Sequence, residues 1–261
     1  MLSLFRTNQS FASLLLFGYA LLLQLPVFIL GGGGVTPDAD VGYYGQALVD
    51  LVGFSPWIAA FIPPLLVATG GIIANNVCDR YRISRTVTQF PGLCIVLVWG
   101  LVPSFHYFDP QQLDLIFVLL SIGALGSTYK SLTPAVARFN AGFWLGMAGL
   151  MDPTYLLLIP GFFLGISIFR TADLRSMTQM IGGTLVIYFL AAVYAYWQGD
   201  LLDFYLNDVR TFGFWSPEIA SVYDLIGIGI LLALILLVAA GGGGTRTLLS
   251  IEGGKNLSFL F

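Results

Sequence analysis

"FASLLLFGYALLLQLPVFIL", residues 11–30, is an unbroken run without a charged side chain. A helix rises 1.5 Å per residue, so a run of about twenty residues spans roughly the 30 Å of a bilayer's hydrocarbon core. Apolar residues here come as a block, not at helical or alternating spacing, and such a block reads as a membrane span. It exceeds the roughly 7–15 apolar residues of a secretory leader, and no small-residue cleavage pattern follows it. The run is therefore expected to stay in place as a first helix.

The remaining chain repeats this pattern. Of 261 residues, 57% are apolar and 10% charged, where a soluble domain carries about 25% charged residues. Such a composition cannot clothe a surface in water. The expected fold class is all-α, a polytopic transmembrane bundle of about eight helices. The runs lie at 11–30, 56–77, 87–103, 113–127, 139–150, 155–169, 177–196 and 225–240. The fifth is too short to cross alone and precedes the turn signal Asp152-Pro153, so it is expected to pair with the sixth as a tight hairpin. Residues 1–240 are then one membrane domain and 241–261 a cytoplasmic tail. Pro63-Pro64 should bend the second helix, and Asn75 and Asn76 should bond to neighbouring helices. Gly31–Gly34 and Gly241–Gly244 abut helix ends and read as flexible connectors or as engineered residues.

Charge orients these runs. With the N-terminus in the cytoplasm, Arg6, Arg80, Arg82, Arg85, Lys130, Arg138, Arg170, Arg175, Arg246 and Lys255 fall inside, and of the eleven basic residues only Arg210 falls outside. That is the distribution that the positive-inside rule requires. Most acids sort outward, among them Asp38, Asp40, Asp109, Asp114, Asp152 and Asp208. Two outer stretches also carry apolar residues at helical spacing: Val41, Tyr44, Leu48, Leu51 and Val52, then Trp197, Leu201, Leu202, Tyr205 and Val209. Both are expected to lie in the interface as amphipathic helices.

No span carries a charged residue at its centre, which argues against an ion-coupled transporter. A net charge of −3 argues against nucleic acid as a partner. Cys78 and Cys94 read as buried, inert thiols. No nucleotide loop, zinc helix, serine triad or haem motif is present, so no cofactor and no metal are expected. His106, the single histidine, reads as a surface residue. Gly142, Gly146 and Gly149 form a small-residue face suited to close helix packing. With the aromatic segment 204–215, it is the expected contact with other membrane proteins, besides the lipid bilayer itself.

Two resemblances add to this. "MLSLFRTNQS" (1–10), "IIANNVCDRYRIS" (72–84), "RFNAGFWLGMAGLMDP" (138–153) and "GISIFRTADLRSM" (165–177) resemble an uncharacterised family of multi-pass bacterial inner-membrane proteins, a domain of unknown function. That likeness implies the inner membrane, with both termini cytoplasmic, and no particular activity. "PDADVGYY" (37–44), with an amphipathic stretch behind it, is similar to the first outer loop of C-type glycosyltransferases, the polyprenyl-phosphate-sugar enzymes. The run 139–166 resembles their small-residue hairpin. This second likeness implies Asp40 or Asp38 as catalytic general base or as a metal ligand, and Arg210, His106 and Asp109 as substrate-binding groups.

Three functions follow: a non-catalytic subunit packed with partners in a cell-envelope complex, a glycosyltransferase-like enzyme using a lipid-linked sugar, or a lipid or small-solute carrier. The first is the leading expectation.

Overall fold

The computed structural model describes residues 10–30, 34–35, 42–81, 89–101, 106–128, 133–168 and 174–210. Asp38, Asp40, the run at 225–240 and the tail at 241–261 lie outside the described residues. By contact the chain divides into residues 1–212 and 213–261.

The described chain is helical. Its helices are α1 (Ser10–Leu30), α2 (Tyr43–Gly53), α3 (Pro56–Arg80), α4 (Phe90–Leu101), α5 (Gln111–Gly126), α6 (Pro134–Met151), α7 (Ile159–Ile168), α8 (Leu174–Gln198) and α9 (Leu201–Phe204). A 3-10 turn, Pro153–Leu158, leads into α7, and a π-helical turn, Tyr205–Arg210, follows α9. The one bridge between extended residues among those described joins Val35 to Phe108. Two helices, α3 and α8, are long and apolar enough to cross a membrane, and the other apolar helices are shorter.

Several boundaries differ from expectation. The fifth run is an 18-residue helix, because Pro134 supplies the fixed φ of a first helical position and starts it five residues early. The sixth is half 3-10, half α. The stretch 197–210 is not one helix. Gly199 takes φ +88, and the bonds Gly199 N–H to Tyr196 O and Asp200 N–H to Ala195 O end α8 in a glycine-dependent C-cap.

Small residues set two close helix crossings. At α6 and α8, a Cβ on Gly142 would collide with the Met180 carbonyl, and one on Gly183 with Phe139 O and, at 2.8 Å, with Phe143 N. Thr184 Oγ1 donates to Gly142 O at 2.9 Å across the same contact. Gly142, Gly146 and Gly149 are thus buried against α8, Leu156 and Tyr188 of their own chain. At α3 and α4, a Cβ on Gly92 would sit 2.5 Å from Gly71 O. Asn75 then reaches across, its Oδ1 accepting the free Gly92 N–H of α4's first turn at 2.7 Å. Asn75 therefore bonds as expected, whereas Asn76 is exposed.

Gln24 ties three segments together. Pro64 has no N–H, so the Ala60 carbonyl four residues earlier lacks its helical partner. Gln24, fully buried in α1, donates Nε2 to that carbonyl at 3.2 Å and to His106 O at 2.8 Å. Its Oε1 lies 2.8 Å from His106 Nδ1. Because Gln24 Nε2 already faces two carbonyls, Oε1 must accept, which makes His106 Nδ1 the protonated nitrogen.

Candidate functional site

The two ends of the bundle differ in charge. α1 ends, and α3 and α5 begin, at an end that carries Asp109, Asp114, Asp152, Asp200, Asp203 and Asp208. At the opposite end stand Arg80, Arg138 and Arg175.

Three carboxylates of the acidic end lie together. Asp109 Oδ1 accepts the Gln111 N–H at 2.9 Å and so fixes the start of α5. Asp152 ends α6, and its Oδ1 accepts the Thr154 N–H at 2.9 Å, which starts the 3-10 turn. Asp114, one turn into α5, stands where the fields of Asp109 and Asp152 reach it, with the Tyr155 ring beside it. It is 0% exposed, and neither of its oxygens has a hydrogen-bond partner among the described residues. A buried polar group left unbonded costs roughly 1–3 kcal/mol.

A cavity of about 420 Å³ opens beside them. Val67, Ile95, Val98 and Leu115 form apolar walls, and Asp109, Gln111, Gln112 and Tyr155 stand at its polar end. Cys94 also lines it, seven residues before the end of α4, which places the apolar part about 10 Å along the helix axis. The cavity is therefore amphipathic. Neither thiol is buried as expected: Cys94 is exposed and Cys78 half-buried, and both are free. α4 presents Cys94 to the cavity, whereas its opposite face packs on α1 and α3.

Asp208 forms a second centre. Its Oδ1 accepts the Tyr43 N–H at 3.0 Å, while Oδ2 has no partner among the described residues. Gly42 makes room for this: a Cβ there would strike Asp208 Oδ1 and come within 2.8 Å of Leu150 O. Gly42 N–H also donates to Met151 O at 2.7 Å. α2 thus starts at Tyr43, and a carboxylate bonded at its N-terminus is that of Asp208. Burial pushes the Asp208 carboxyl up to about 7, against the lowering effect of the Tyr43 N–H. Tyr43 Oη donates to Asp200 at 2.8 Å, and Phe204 packs with Tyr43, Tyr44 and Tyr188.

Two backbone bonds hold the described residues on either side of segment 36–41, which carries Asp38 and Asp40. Before it, Phe108 N–H donates to Gly34 O at 3.1 Å, next to Asp109; after it, Gly42 is pinned to Met151, next to Asp152. Of the expected site residues, Asp109 lines the cavity. His106 is engaged with Gln24, and its ring packs on Trp99 with centroids 4.7 Å apart. The Arg210 side chain lies outside the described residues. Asp114, Asp208 and Gln24 were not expected as buried groups, although Gln24 is a lone amide in a twenty-residue apolar run. Among the described residues, no group of three or more His, Cys, Asp or Glu side chains is placed to hold a metal ion. No family model, curated protein or solved structure matches the chain.

Proposed function

We propose that this chain is an eight-span membrane protein, with both termini cytoplasmic, that binds an amphipathic lipid at its acidic end. The lipid's chain occupies the cavity between α3, α4 and α5. Its uncharged, hydroxyl-bearing head lies against Asp109, Gln111, Gln112 and Tyr155. The observation that carries this reading is the cavity itself, apolar along one side and lined at the other by the Asp109 carboxylate, two amides and the Tyr155 hydroxyl. A hydroxyl head can donate to the Asp109 carboxylate, whereas a phosphate head would meet like charge with no Lys, Arg or His among the described lining residues. The charge asymmetry of the sequence supports the orientation.

A second reading, a non-catalytic subunit packed with partners in a cell-envelope complex, draws on the aromatic segment 204–215 and on spans without a central charge; the faces of Gly142, Gly146 and Gly149 are occupied within the chain. Glycosyl transfer rests on Asp38 and Asp40. One of them would take the proton of an acceptor hydroxyl as its oxygen attacks the sugar of a lipid-linked donor, and the sugar–phosphate bond breaks with the lipid phosphate leaving at headgroup depth.

The test is lipid retention. Full-length protein in mild detergent, titrated with diacylglycerol and examined by native mass spectrometry, should hold the lipid. Val98→Trp, which fills the cavity from a lipid-exposed position, should lower retention at least tenfold. Equal retention by the two proteins overturns the assignment. Reporter fusions after Arg85 and Arg175 should be active on the cytoplasmic side, and those after Asp109 and Asp208 on the outer side.

A further inference from the structure

A second cavity, of about 450 Å³, lies at the opposite end of the bundle. Three helix faces build it: Asn76, Arg80 and Tyr81 from the last turns of α3, Ser127 just after α5, and Asn140 and Trp144 from α6. The spacings match the helical period, since Asn76 and Arg80, and Asn140 and Trp144, are each four residues apart and share a face.

The polar groups here are mostly donors. Tyr81 Oη spends its proton on Gly123 O at 2.5 Å, and Ser127 Oγ spends its own on Ala124 O at 2.6 Å. That leaves the Arg80 guanidinium and the exposed amides of Asn76 and Asn140 turned to the cavity. Arg80 lies 5.9 Å from the Tyr81 ring centroid. Among the described residues no carboxylate lines the cavity, and Asp79 precedes Arg80 directly, so the helix turns it about 100° away. An arginine in the last turn of a helix is also expected from the helix dipole alone. The dipole accounts for the position of Arg80, but not for a hollow that two further amide donors and an indole surround.

We propose that this cavity binds a phosphate group, presented by the head of an anionic phospholipid. A guanidinium and amide donors are the groups that bind phosphate oxygens. Tyr81 and Trp144 are suited to the depth at which headgroups meet acyl chains. The assignment is independent of the carboxylate-rimmed cavity and needs only that the bundle sits in a bilayer.

The experiment uses the full chain in mild detergent and native mass spectrometry, with phosphatidylglycerol and diacylglycerol of the same acyl chains as probes. Wild type should retain phosphatidylglycerol. Arg80→Gln should lower that retention at least fivefold and leave diacylglycerol retention unchanged. Asn140→Leu, which keeps Arg80 and intrudes on the hollow from an exposed position, should do the same, and it decides the matter if Arg80→Gln fails to fold. Inorganic phosphate at millimolar concentration is the third arm. Failure to displace the lipid assigns the site to the headgroup, and displacement assigns it to free phosphate held by the same donors. Phosphatidylglycerol retention equal to wild type in both variants overturns the proposal.

Discussion

The carboxylate of Asp208 accepts the backbone N–H of Tyr43 at 3.0 Å and so caps a helix that begins 165 residues earlier in the chain. A helix N-terminus leaves its first N–H groups without partners, and Gly42 at the N-cap has no side chain to offer. The cap comes instead from the turn after α9.

That cap should make stability depend on pH. The Asp208 carboxyl titrates near 3.8 when unfolded and at about 7 in the fold. The folded state therefore holds the proton more tightly, and stability falls as pH rises through that interval. Thermal unfolding of wild type should show a declining melting temperature from about pH 4 to about pH 7, with this contribution level above that. Asp208→Asn retains an acceptor and cannot ionise, so this part of the slope should vanish. Asp208→Ala leaves the Tyr43 N–H bare and should cost about 1 kcal/mol at pH 5. An unchanged slope in Asp208→Asn would remove Asp208 as its source.

The crossing of α6 and α8 gives a paired test on adjacent residues. A Cβ on Gly183 meets Phe139 O and Phe143 N, both backbone atoms that cannot swing aside, whereas a Cβ on Gly182 meets nothing within 4 Å. Gly183→Ala should therefore destabilise by roughly 1–3 kcal/mol through overpacking. Gly182→Ala should be neutral or stabilise by up to about 1 kcal/mol, the difference in helix propensity. Chemical denaturation in detergent separates the two. Similar values for both variants would mean that the helices do not meet at Gly183.

Much of this architecture is readable in the sequence. The apolar runs announce an all-helical chain, and the small residues of α6 announce a close crossing. Their partner at Gly183 is not announced, since nothing local to residue 183 refers to residue 142. The stretch 197–210 shows a subtler limit. Its apolar spacing is real, but Leu202 and Tyr205 are exposed at 69% and 52%, while Phe204 and Asp208 are buried. In water an apolar stripe turns inward. Where a bilayer can cover that stripe, the other face is free to turn to the protein, and a carboxylate on it becomes a buried group. The pattern of apolar residues cannot say which solvent covers them, so the carboxylate that organises α2 was hidden in a face read as wet.

Asp114 offers the sharpest separation of stability from function. Both its oxygens are buried and unbonded among the described residues, in the field of Asp109 and Asp152. A group that contributes nothing to the fold at this cost is expected to be kept for what it does beside the cavity. Leu reproduces the branched outline of the Asp side chain without its polar atoms. Asp114→Leu should therefore raise stability by roughly 1–2 kcal/mol, the desolvation cost recovered. It should also lower diacylglycerol retention severalfold, because the polar end of the cavity loses the carboxyl behind Tyr155. Asp114→Asn keeps shape and polarity and should fall between wild type and Leu in both measurements. Unfolding curves and lipid titrations on the same three proteins decide the matter. If Asp114→Leu lowers the melting temperature instead, the carboxyl stabilises the fold, and the desolvation account of this position fails.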